Sequence, residues 1–240
     1  MSIYIKDKNG QPVKVGAYTN IDNYYDKFWD TLQLNGRRIK YAYVFGGGAW
    51  AAIKFNPKYI PIVLEGSDFN LCSNMFSNFR NSPEKENFDT VIVNSNFIDF
   101  SKATEPYATF ENAVIDEVDV DFSSASRLKY TFRANNGGNI PTIRLKINET
   151  CTDFSNGFDN AVQLKTLEFK EGSIIAGNKL NLSWSTKLTH DSLMNVINAL
   201  KDYSSDTSGT AWKVTFGATN LAKLTEAEKQ IMTDKGWDYE

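Results

Sequence analysis

Apolar and polar residues alternate at the start of the chain, with Ile3 and Ile5 on one face of Ser2–Lys6 and Val13 and Val15 on one face of Pro12–Val15. Asp7-Lys8-Asn9-Gly10 between them carries turn chemistry, so the pattern predicts a β-hairpin. Two strands alone are marginal in water, and this hairpin must lie on a further element. From the N-cap residue Asn20, the period changes. Ile21, Tyr24, Tyr25, Phe28, Trp29 and Leu32 recur at helical spacing, which predicts a helix over Ile21–Leu34 with Gly36 as its C′ stop. Alternation returns in Ile39–Phe45, a predicted strand running into Gly46-Gly47-Gly48. That triplet lacks the Gly-Lys-Ser/Thr ending of a phosphate loop and reads as a tight turn before Trp50.

Past residue 65 the dominant signal is an internal repeat. Asp-Phe followed by a small polar residue occurs at Asp68-Phe69-Asn70, Asp99-Phe100-Ser101, Asp121-Phe122-Ser123 and Asp153-Phe154-Ser155. Each copy is followed by a second phenylalanine, at Phe76, Phe110, Phe132 and Phe158, and three of these open a Phe-x-Asn triplet. The first phenylalanines lie 31, 22 and 32 residues apart, in or near the size range of stacked repeat units. Short extended runs at Thr90–Val93, Val118–Val120, Pro141–Ile147 and Thr166–Phe169 suit one strand per unit. A unit of this size cannot bury its Phe pair alone. Stacking units would make the core continuous and line the strands into one parallel sheet, a solenoid. The Asp, Ser and Asn beside the anchors are expected to bond turn amides, so one acid per unit reads as a fold requirement. A catalytic pair of carboxylates would instead need two unlike environments.

The last sixty residues read as a cap on that array. Thr189 is placed to N-cap a helix over His190–Tyr203 with Leu193, Val196, Ile197 and Leu200 on one face, and Trp212–Phe216 alternates as a strand. Thr225-Glu226-Ala227-Glu228 is a capping box, opening a helix that stops at Gly236.

Composition then narrows the chemistry. The 240 residues hold one histidine and two cysteines, Cys72 and Cys151, so neither a soft metal-ligand set nor a disulfide framework is expected, and no cofactor. No apolar run reaches the roughly 20 residues of a spanning helix, and Met1–Gly10 lacks the order of a signal peptide; a soluble chain made without a leader is expected. The net charge of −3 is split, +5 over residues 1–64 and −8 beyond. Basic residues are dispersed apart from Arg37-Arg38, which argues against nucleic-acid binding and suggests two regions, one docking on a partner. His190 beside Asp191 and Ser192 is too local to form a hydrolase constellation and reads as a surface or capping residue. The two cysteines read as core filling. No spacing singles out a glycosidase pair among the 29 acids. Tyr24, Tyr25, Trp29, Tyr41, Tyr43 and Trp50 are the candidate partner-binding residues, with burial in the N-terminal core as the competing expectation.

Several stretches also resemble a known group. Met1–Gly10 and Tyr25–Tyr43, with Phe28-Trp29-Asp30 and Asn35-Gly36-Arg37-Arg38, resemble segments of phage tail and baseplate-associated proteins of Gram-positive gut bacteria. Ser183–Leu193, Ile197–Leu200, Gly217–Thr225 and Lys235-Gly236-Trp237 are similar to the end of irregular leucine-rich-repeat proteins carried by phages and prophages. The resemblance implies an α/β chain: a small α+β attachment region over residues 1–64, then an irregular leucine-rich-repeat-like solenoid over 65–240 with a parallel sheet and a helical C-terminal cap from about residue 181. It implies a non-enzymatic virion structural protein of the distal tail or baseplate, oligomeric in the particle. Its expected partners are other tail proteins and a host-surface receptor. The other expectation is a prophage-encoded or cell-associated repeat protein binding a peptide or glycan. The central units depart from the group in their unequal lengths and in leaning on Phe and Val more than Leu.

Overall fold

The computed structural model describes residues 100–240 throughout, and before them only Ser77 and eight short strands. Among those strands, β1 (Ser2–Lys6) and β2 (Pro12–Gly16) form the expected antiparallel hairpin, with Tyr4 opposite Lys14 and Ile5 opposite Val13. The support that a lone hairpin needs comes from β7 (Ile62–Glu65), which pairs antiparallel with β1 to give the order β2-β1-β7. One expectation is corrected here. Gln33–Leu34 is strand β3, paired antiparallel with β4 (Arg37–Arg38), so the helix expected over Ile21–Leu34 does not extend through Leu34. An Asn-Gly pair is the strongest short hairpin signal, and it outweighs the helical spacing at that end. Residues 21–32 lie outside the described residues. Strand β5 (Tyr41–Tyr43), within the predicted Ile39–Phe45, pairs antiparallel with β6 (Ala52–Lys54).

The well-described part is a mixed α/β architecture built on parallel strands. Strands β8 (Ile92–Asn94), β9 (Glu117–Asp121), β10 (Thr142–Lys146) and β11 (Thr166–Phe169) lie side by side in chain order, all parallel. Ile92, Glu117, Thr142 and Thr166 are in register, so the unit is 24 or 25 residues long. The strands alternate buried and half-exposed positions, which sends Val118, Val120, Ile143, Leu145, Leu167 and Phe169 into the core. A second parallel sheet joins β12 (Leu180–Asn181), β13 (Trp212–Thr215) and β14 (Trp237–Tyr239).

This period corrects the one read from the Asp-Phe motifs, because those motifs occupy two different corners of the unit. Phe122 follows β9, its amide bonds the Lys146 carbonyl, and its ring lies 5.4 Å from Phe100. Asp153-Phe154 sits in a later corner, where Asp153 bridges Arg127 in parallel. Phe154 therefore follows Leu128 in the stack, and the interval from Phe122 to Phe154 spans more than one unit. Of the second phenylalanines, Phe76 lies outside the described residues, and the other three form one column: Phe110 stacks on Phe132 at 5.6 Å and Phe132 on Phe158 at 5.3 Å, all three buried.

At the C-terminal end, α1 (His190–Ala199) is N-capped by the Thr189 hydroxyl, as predicted, though it stops four residues short of Tyr203. A single turn, α2 (Ala218–Leu221), precedes α3 (Glu226–Asp234), which has the full Thr225/Glu228 capping box. Gly236 at φ +79° turns the chain out of α3 into β14, a strand that the hydrophobic pattern does not announce. No helix among the described residues is long and apolar enough to cross a membrane.

Candidate functional site

The solvent side of β9–β11 is a polar surface. Alternation puts Glu117, Asp119 and Asp121 of β9 beside Thr142, Arg144 and Lys146 of β10. Opposite charges then meet across strands, where directly facing pairs stabilise a sheet. The Arg144 guanidinium forks between its neighbours, 2.5 Å from Glu117 and 3.0 Å from Glu168 on β11. Partial burial works against its charge, but the two carboxylates outweigh that and hold its pKa above the ordinary value. Lys170 reaches back to Asp119. These ion pairs tie the three strands together across the sheet and help to hold their register.

A second surface runs along the Leu128 and Phe154 corner. Arg127 pairs with Glu105 at 2.5 Å and Arg133 with Glu111, each across one unit. Tyr107 and Tyr130 meet edge to face at 5.5 Å, and the Arg133 guanidinium lies 4.1 Å from the Tyr130 ring centre. Tyr130 has φ +58°, in the left-handed region where a bulky side chain is costly. Its amide bonds Ser155, and the ring contacts offset part of that cost.

The third surface is the aromatic C-terminal end. Tyr203 and Trp212 stack face to face at 3.9 Å, with Trp237 tilted 5.7 Å from Tyr203. Each polar tip has an acceptor: Trp212 Nε1 donates to Asp206 at 2.6 Å, Trp237 Nε1 to the Lys201 carbonyl and the Tyr203 hydroxyl to the Ala176 carbonyl, both at 2.7 Å. Burial, partly offset by Lys201, raises the Tyr203 pKa. The stack closes the base of an exposed loop over 204–211, which stretches the interval from Leu180 to its partner Val214 to 34 residues. Closing a surface insertion at its base keeps the units on either side in register.

The residues singled out by sequence divide as follows. Tyr24, Tyr25, Trp29 and Trp50 lie outside the described residues, as does Cys72. Tyr41 and Tyr43 are the end residues of β5. Cys151 is fully buried, and burial pushes its thiol up to about 12, so it stays protonated and unreactive. His190 is an exposed first residue of α1, bonded through Nε2 to Glu228 at 3.0 Å. Ser192 accepts from the Leu167 amide and the Thr189 hydroxyl, while the Asp191 carboxylate stands in solvent, so the three do not converge. The motif acids do what turn chemistry suggests: Asp121 accepts from the Ser123 amide and Asp153 from the Ser155 amide. Asn148 and Asn181 make the same turn bond, accepting from the Thr150 and Ser183 amides. Among the described residues no cluster of His, Cys, Asp and Glu is arranged to hold a metal ion. Sequence reasoning missed the exposed Trp184, the Tyr203/Trp212 stack and strand β14, because short spacings carry no period to detect. The chain matches no protein-family model, no curated protein and no solved structure.

Proposed function

We propose that this chain is a non-enzymatic structural protein of a phage distal tail or baseplate, an irregular leucine-rich-repeat-like solenoid whose N-terminal hairpin region attaches it to another virion protein. On this reading the repeat surfaces face further tail proteins or the host envelope. The observation that carries the scaffold reading is the use made of the recurrent residues. The phenylalanines stack in buried columns, and the acids of the Asp-Phe motifs bond turn amides, so the repeated sequence is spent on holding successive 24- or 25-residue units together. The location in a virion rests on the resemblance of the chain's two ends to tail-associated proteins. Antibody labelling of purified particles tests it. Label at the distal tail is expected, and its absence from particles carrying the gene overturns the virion assignment. Turnover of host cell-wall polysaccharide that disappears with one Asp or Glu substitution would overturn the non-enzymatic assignment.

A further inference from the structure

The two parallel sheets end in opposite ways. The last strand of the first, β11, is covered by helix α1 through side chains that stand in for a further strand. Ser192 Oγ accepts from the Leu167 amide at 3.0 Å, Asn195 Oδ1 from the Phe169 amide at 2.6 Å, and Asn195 Nδ2 donates to the Phe169 carbonyl at 3.1 Å. The last strand of the second sheet, β14, has no such cover among the described residues. Glu240 uses both its amide and its carbonyl toward β13 and the residues after it. By the alternation of a parallel ladder, Asp238 points the same way, and the amides and carbonyls of Trp237 and Tyr239 point outward. Uncovered edges of this kind are templates for another strand unless blocked.

The charge around the edge says what would fit it. Lys201 is paired with Glu149, Lys213 with Glu240 and Lys229 with Glu226, while Lys235 donates to the carbonyls that end α1. Asp234 and Asp238 have no cationic partner among the described residues, leaving this end acidic. The opposite end of the chain carries the complementary charge, +5 over residues 1–64. There β2 is an edge strand among the described residues, with Lys14 at its centre and Lys6 on the strand paired with it.

We infer that the outer edge of β14 is a self-association site, which takes up strand β2 of a second copy of this chain by strand addition, with Lys14 set against the acidic residues around Asp238. Main-chain bonds and the charge pairing would share the affinity, and the charges would also set the register. The contact is head to tail and not self-complementary, so it builds rings or open chains of copies. This inference goes beyond the tail assignment and holds or fails independently of it.

Light scattering and sedimentation of the full chain over a concentration series test it. Wild type is expected to form growing oligomers at low salt, dispersed in about 1 M salt, where the screening length falls to roughly 3 Å. Tyr239→Pro removes an outward amide without touching the ladder to β13 and is expected to abolish association, while Tyr239→Ala retains it. Asp238→Lys and Lys14→Glu are each expected to weaken association, and mixing the two variants to restore it. A wild type that is monomeric at every concentration overturns the proposal. So do oligomers indifferent to Tyr239→Pro in a variant whose circular dichroism matches wild type, and a mixture that fails to associate.

Discussion

At the scale of single residues, stability is concentrated in rings and turn acceptors. Phe122 and Phe154 are 0% and 1% exposed, although they belong to different corners of the unit. Replacing either by Ala removes a buried ring and leaves a cavity in the core. Each substitution is therefore expected to cost roughly 3–5 kcal/mol in thermal or denaturant unfolding. A loss below about 1 kcal/mol at both would show that these rings are not core anchors. The Phe-x-Asn triplets find their reason at this scale too. Asn112 and Asn160 sit at φ +56°, in the left-handed region that Asn tolerates better than other side-chain-bearing residues. The asparagines thus turn the chain directly after a stacked ring. Gly177 answers a different demand: a Cβ there would lie 2.0 Å from the Thr152 carbonyl oxygen, so only glycine permits that approach of adjacent units.

At the scale of elements, α1 does two jobs. Its apolar face, with Leu193, Val196 and Ile197, closes the core, and Ser192 and Asn195 at its margin end the first sheet by bonding the last strand's backbone. A helix can occupy the place of a strand because these side chains reach where a neighbouring strand's amides and carbonyls would stand. Asn195→Ala leaves the Phe169 amide and carbonyl without their partner. The expected loss is roughly 1–3 kcal/mol, with faster hydrogen exchange at Phe169 and unchanged exchange in β9. Exchange at Phe169 equal to wild type would show that the bond does not protect the edge. The helix is joined to α3 by the His190–Glu228 contact and by Lys235, whose Nζ donates to the Ile197, Asn198 and Leu200 carbonyls at 2.9, 2.9 and 3.0 Å. Burial lowers the Lys235 pKa, and the carbonyls at the negative end of the α1 dipole supply the acceptors its ammonium needs.

At the scale of the whole molecule, the carboxylates set the response to acid. Bonds from Lys201 hold Glu149 below its ordinary pKa, the Ser204 side chain and amide do so for Asp202, and the Trp212 indole for Asp206. The Thr225 amide lowers Glu228, and Lys213 lowers Glu240. A depressed folded-state pKa contributes stability above the unfolded value and loses it as pH falls through the folded one. Asp159, raised by burial, runs the other way. At Asp153 burial works against the charge, but the bonds from Ser155 hold its pKa below the ordinary value, so six groups against one predict a melting temperature that is level between about pH 5 and 8 and falls below about pH 4. A melting temperature that rises between those values and pH 3 in circular-dichroism scans would contradict this balance.

What could be read from the chain alone follows from the range of the forces involved. Local periodicity located β9–β11 and β13 to within about two residues, the Thr189 cap and the Thr225/Glu228 capping box, because each depends on contacts within one or two turns of backbone. The hairpin β1–β2 was legible for the same reason. The repeat was legible as a recurrence but not as a period, since Asp-Phe serves any corner where a ring turns inward and an acid bonds the next amide. Only the stacking of units shows that Phe122 and Phe154 fill different corners while Phe110, Phe132 and Phe158 share one. The same holds for surfaces. The sequence determined which charges exist and how they divide between its ends. Tertiary structure decided that Arg144 is neutralised by strands on both sides, that Ser192 and Asn195 close one sheet edge, and that β14 has no such cover among the described residues. Those outcomes depend on partners some 25 residues or more away, where no local pattern reaches.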